Sequence, residues 1–298
     1  MTGLSHDYTT TLEAEPERVF AALTKPSELA RWFAENVDLE PKAGGALRFS
    51  GRGAYAPTMG RVLRFEPPTA LALSYPIEGA DGEVTITLEP APDKASSTKL
   101  SLQHRLASAP PIARAKELVD DLWRLALGNL AEHLRGGAGI TLIDFRDPKP
   151  EVRLSVFIAA PPSSVFRALV EPALLDQWIA TKAVVEPRVG GRYSHGWSHE
   201  IGGRQVEGGP TRILELVQDE KLVVDWPDWR GDTSVPVQKL TYLLAPEGAG
   251  TRVTLIHDGF GRAADISDYP FGWAWFAGRL KDVAERPTKA AEPASLHA

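Results

Sequence analysis

Seven histidines and eight tryptophans carry most of the chemistry open to this 298-residue chain, which has no cysteine. Without cysteine there is no thiolate nucleophile, disulfide or Cys-ligated metal. His195 and His199 stand four residues apart, a spacing that on a helix would turn both imidazoles toward one metal. The surrounding YSHGWSH reads as a strand, where residues four apart are about 13 Å distant, so no metal or other cofactor is expected. There is no GxSxG elbow, P-loop or GxGxxG, and no carboxylate pair whose spacing suggests acid–base work. What remains suits binding better than catalysis. Tyr193, His195 and Trp197 alternate onto one face of a strand, and Trp226 closes the strand LVVDW. In TRVTLIHDGF, parity places Val253, Leu255 and His257 on the inward face and Asp258 on the other. Aromatic faces give apolar area and imidazoles give oriented hydrogen bonds, so these five residues form the candidate ligand site. The plainer reading of His257 is a partly buried histidine that is hydrogen-bonded at the mouth of the interior. His104, inward with Leu100 and Leu102, is its counterpart in the first half. Asp225 points away from this face, toward solvent, and receives no role.

The elements that must hold these residues are read from a repeat. Glu17 to Trp32 (ERVFAALTKPSELARW) returns as Ser163 to Trp178 (SSVFRALVEPALLDQW) with seven of sixteen positions identical at an offset of 146. Glu40-Pro41 and Gly44-Gly45 return as Glu186-Pro187 and Gly190-Gly191 at the same offset. A repeat of nearly half the chain is a duplicated domain. Each copy opens with an alternating strand, at Tyr8 to Ala14 and Leu154 to Ala160. Two short helices follow, each begun by a proline (Pro16 and Pro26; Pro162 and Pro172), with Val19, Phe20, Leu23, Leu29 and Trp32 as core. The glycine pairs read as hairpin turns, the next runs as an antiparallel sheet, and each copy closes on a helix, Ile112 to Leu134 or Phe271 to Ala284. The expected organisation is an α+β pair of modules at 1–136 and 150–286, a linker at 137–149 in which ITLIDF is an edge-strand candidate, and a disordered tail at 287–298.

A net charge of −6 with 43% hydrophobic residues and no basic stripe argues against nucleic acid as a partner. No apolar run is long enough to insert in a membrane, and MTGLSHDY lacks the pattern of a secretion signal, so a cytoplasmic location is expected.

The motif PxxVFxALxxPxxLxxW, the two landmark pairs, the strand ending Asp225-Trp226, the TRVTLIHDGF strand and the Gly272-Trp273 helix resemble the activator-of-Hsp90-ATPase-homologue group of START-like (SRPBCC) domains. The resemblance implies a helix-grip fold, a curved antiparallel sheet wrapped on a long C-terminal helix with a cavity between them. It also implies either small apolar ligands or protein partners of the co-chaperone kind. The first copy has Leu122-Trp123 in place of Gly272-Trp273 and lacks the Asp-Gly-Phe of Asp258 to Phe260, so the second copy follows the pattern more closely. Six of the eight tryptophans lie in the second half. The leading expectation is therefore non-enzymatic binding of a small apolar or aromatic molecule, mainly in the second module. The alternatives are a START-like cyclase or hydrolase with an inward histidine as base, and a co-chaperone or regulatory interaction protein.

Overall fold

The computed structural model describes residues 3–286 except 93 and 95, so the tail expected at 287–298 lies outside the described residues. The first half runs β1 (Leu4–Leu12), α1 (Pro16–Thr24), α2 (Pro26–Trp32), β2 (Asn36–Leu39), β3 (Ala46–Ser50), β4 (Thr58–Glu66), β5 (Ala70–Ser74), β6 (Gly82–Pro90), β7 (Thr98–Leu106) and α3 (Ala115–Arg135). Its sheet has the order β1-β7-β6-β5-β4-β3-β2, antiparallel throughout. The second half runs β8 (Val152–Ile158), α4 (Pro162–Val170), α5 (Pro172–Leu175), β9 (Val184–Val185), β10 (Tyr193–Ser194), β11 (Trp197–Ile201), β12 (Arg204–Gly208), β13 (Ile213–Val217), β14 (Lys221–Trp226), β15 (Gln238–Glu247), β16 (Gly250–Asp258) and α6 (Tyr269–Ala284). Its main sheet, β13-β14-β15-β16-β8, repeats the order β4-β5-β6-β7-β1 strand for strand. The duplication is thus topological as well as sequential. Among the described residues no helix is long and apolar enough to cross a membrane.

The conserved offset has local causes. All four short helices start on proline, whose fixed φ suits the first turn and whose missing N–H costs nothing there. Trp32 donates its indole N–H to Ala22 O at 3.0 Å, and Trp178 makes the same bond to Ala168 O at 2.9 Å, so each tryptophan ties its two helices into one corner. In each glycine pair the two members do different work. Gly44 and Gly190 adopt φ of 77° and 76°, while a Cβ on Gly45 or Gly191 would lie 2.3 or 2.2 Å from the carbonyl oxygen of Glu40 or Glu186.

The modules diverge between the glycine pair and the following strand. In the first, β2 and β3 continue the main sheet. In the second, the corresponding β9 and β10 are two residues each and separate, and a further hairpin, β11–β12, follows. Here Asp225 departs from its expected place. It is 4% exposed, because the loop entering β13 folds over the outer side of β14. Its carboxylate accepts hydrogen bonds from Thr211 N (2.7 Å), Thr211 Oγ1 (2.6 Å) and Arg212 N (2.9 Å), so it serves loop amides that the ladder leaves unpaired.

The chain divides into two compact units, one comprising the residues up to Pro150 with Phe260–Phe271, the other Glu151–Gly259 with the residues from Gly272 on. The stretch expected as a linker thus belongs to the first unit, and so does a segment that the sequence places inside the second module. In that segment Asp265 is paired with Arg262 Nε at 2.8 Å and Arg114 Nη1 at 3.4 Å. The ring of Phe271 occupies the space where Gly128, in the middle of α3, would carry a side chain.

Candidate ligand-binding interiors

Strand parity places the five predicted site residues in one aromatic cluster. Ring centroids lie 5.6 Å apart for Tyr193 and His195, 4.8 Å for His195 and Trp197, 6.0 Å for Trp197 and Trp226, and 5.5 Å for Trp226 and His257. Trp273 and Phe276 of α6 close the group, at 5.0 Å from Trp226 and 5.8 Å from Trp197. Rings at these separations are in contact with one another. Two tryptophans lie at the rim: Trp275 meets Phe276 edge-on at 4.9 Å. Trp229 meets His199 and Arg230, and Trp275 is 58% exposed beneath Arg279.

The two inward histidines of this module differ in kind. Trp273 donates its indole N–H to His257 Nδ1 at 3.1 Å, which fixes the proton on Nε2, and Nε2 donates to Gln238 Oε1 at 2.8 Å. Both ring nitrogens are engaged, so His257 braces α6 against the sheet. The first module builds the same device from Trp123, His104 Nδ1 (3.1 Å) and Tyr75 O (2.9 Å from Nε2). His195, 1% exposed, has no partner for Nδ1. Its neighbours spend their own polar groups elsewhere, the Tyr193 hydroxyl on Leu169 O and the Trp197 N–H on Ile179 O, each at 2.8 Å. Burial pushes the pKa of His195 and of His257 down to about 3 and that of His104 to about 4, so all three are neutral at pH 7.

An apolar cavity of about 40 Å³ lies in the first module. Leu23, Leu29, Val37, Leu47, Leu73 and Ile86 are among its walls, and Phe33, Tyr75 and Trp123 form one end. A smaller chamber of about 20 Å³ lies across those three rings, bounded outward by Tyr55, Asn129 and Phe145. This is not the module in which the sequence leads one to expect the ligand. At paired inward positions Phe49 stands where the second module has His195, Tyr75 where it has Trp226, and Leu73 where it has Val224. Counting tryptophans as lining overlooks the volume they consume, and packing at crystal-like density leaves space where side chains are smaller.

Two helix-grip modules of the START-like class, in α+β arrangement, are what this fold and these interiors define. Residues 13–135 and 159–285 each match the family described as Activator of Hsp90 ATPase homolog 1-like protein, and the chain belongs to that family. Among solved structures, CalU16 from Micromonospora echinospora is 28% identical over 45% of this chain and 75% of its own, with a TM-score of 0.38. DynU16, from the dynemicin biosynthetic locus, is 18% identical, covering 94% of this chain and 98% of its own with a TM-score of 0.40. The Aha1 dimer from Colwellia psychrerythraea is 18% identical over 45% of this chain and 96% of its own, with a TM-score of 0.36. A comparison with curated proteins finds no match.

Proposed function

We propose that the protein binds a small apolar or aromatic molecule without transforming it, and that the receiving interior is that of the first module. The observation that carries this reading is the cavity between the sheet and the helices, walled by Leu, Ile, Val and aromatic side chains. A well-formed apolar hollow is the default place for a ligand. At about 40 Å³ it is smaller than the roughly 300 Å³ of an ordinary ligand pocket, so binding requires its walls to move apart. The test is titration of the whole chain with naphthalene, followed by calorimetry. Leu73→Trp, which places an indole in the cavity, is expected to abolish binding while the fold, read by circular dichroism, persists. Binding unchanged in Leu73→Trp would remove the cavity from consideration.

A second reading places the ligand among Tyr193, His195, Trp197, Trp226 and His257. It is favoured by one feature, the buried and unpartnered Nδ1 of His195, which a ligand hydroxyl or N–H would satisfy. His195→Phe separates the two, since it deletes that acceptor and leaves the first module untouched. General-base catalysis draws little support, because an imidazole with a pKa near 3 is a weak base at neutral pH.

A further inference from the structure

The stretch after α3, residues 139–145, is held on the first module by devices that a plain connector does not need. Asn129 is 3% exposed in the middle of α3, where an apolar side chain would pack without needing partners. Its amide pairs with one residue of the stretch as a neighbouring strand would, Nδ2 donating to Thr141 O at 2.9 Å and Thr141 N donating to Oδ1 at 2.8 Å. Gly53 N donates to Ile143 O at 2.8 Å, and the Phe145 ring meets Tyr55 edge-on at 5.5 Å. All seven residues are half-buried and none is in a helix or strand, so the stretch is a strap fixed at a few points rather than the edge strand its sequence suggests.

The strap reaches the smaller chamber through Phe145, which lines it together with Asn129 and Tyr55. Phe33, Tyr75 and Trp123 line both the chamber and the main cavity. Trp123 is held by a hydrogen bond to His104, whereas the Phe33 ring is held by edge-on packing alone, against Trp32 at 5.4 Å and Phe49 at 5.1 Å. Lifting the strap and turning Phe33 joins outside, chamber and cavity. The same motion strips Asn129 of both its partners and leaves a donor and an acceptor bare at the mouth of an apolar space. A bare buried amide is costly, and a ligand that replaces Thr141 removes that cost. An anionic ligand is disfavoured because the Tyr55 hydroxyl at this end already serves the Glu78 carboxylate.

We propose that residues 139–145 are the door of the first module's site, latched by Asn129, and that the site takes a flat apolar molecule bearing one neutral amide or hydroxyl group, which takes over Asn129 when the door opens. This rests on the reading of the first module as the binding interior. The probes are 1-naphthamide and naphthalene, added to the whole chain and followed by stopped-flow fluorescence and calorimetry. Phe145→Ala weakens the door without touching the latch, and is expected to raise association and dissociation rates of 1-naphthamide about tenfold each, with affinity changed less than about threefold. Asn129→Leu is expected to erase a roughly tenfold preference for the amide over naphthalene. If Leu73→Trp abolishes binding but Phe145→Ala leaves both rates at wild-type values, the strap is no door. If the preference survives in Asn129→Leu, the amide is no anchor. Should Leu73→Trp bind both probes normally, the site itself is elsewhere and the door falls with it. Phe145→Ala decides the matter of access even where Asn129→Leu does not fold.

Discussion

His195 and His257 belong to one aromatic cluster and share a depressed pKa, yet replacement by phenylalanine should move stability in opposite directions. In His195→Phe a buried nitrogen with no partner disappears, and the protein should gain on the order of 1 kcal/mol. In His257→Phe the Trp273 N–H and Gln238 Oε1 both lose the bonds they make to the ring, a loss of about 2 to 5 kcal/mol. Urea denaturation followed by tryptophan fluorescence measures both. The same burial sets a pH dependence. A histidine whose folded pKa lies near 3 and whose unfolded pKa is near 6.5 binds its proton more readily in the unfolded chain between those values. Stability is therefore complete above about pH 6.5 and falls as pH drops toward 3, by roughly 1.4 kcal/mol per pH unit for each such imidazole. Comparing pH 6 with pH 5, His195→Phe should lose one imidazole's share of that slope, and an unchanged slope would mean that His195 is solvated. Parity in the sequence was enough to turn these side chains inward. It could not tell an imidazole with both nitrogens engaged from one with a bare Nδ1, because Gln238 and Trp273 lie 19 and 16 residues from His257 and become its partners only on folding.

Elements were legible wherever one residue had a single geometric duty. Proline began each short helix, glycine pairs marked each turn, and Trp32 and Trp178 recurred because each closes a helix corner with the same indole-to-carbonyl bond. Trp32→Ala and Trp178→Ala should accordingly cost similar amounts, about 3 to 5 kcal/mol each, as the loss of a buried Trp usually does. Their effect should appear in the unfolding midpoint, and a variant with normal midpoint but altered naphthalene affinity would make that tryptophan a ligand contact. Legibility ended where an element's neighbour came from far along the chain. Asp225 alternates outward on β14 as parity requires, but outward there means against Thr211 and Arg212, not water. Alternation predicts a face and says nothing of what later covers it.

For the whole molecule, duplication was read from the sequence and the partition of residues between units was not. A constant offset holds only while both copies do the same thing, and Phe260–Phe271 has taken up a duty in the first unit that has no counterpart at the offset position. Gly128 records that duty in α3. In an ordinary helix interior Gly to Ala gains roughly 1 kcal/mol. Here the new Cβ would stand 2.1 Å from Cε2 of Phe271 and 2.4 Å from its Cδ2, so the ring must be displaced. Gly128→Ala alone should therefore destabilise the protein, by about 1 to 3 kcal/mol for an overpacked contact. Added to a Phe271→Ala background it should stabilise, because the obstacle is gone and only the helix preference remains. This reversal is a coupling that thermal unfolding of the two single variants and the double variant measures directly. Additive effects, with Gly128→Ala acting the same way in both backgrounds, would mean that Phe271 does not rest on α3 in solution and that residues 260–271 are not part of the first unit.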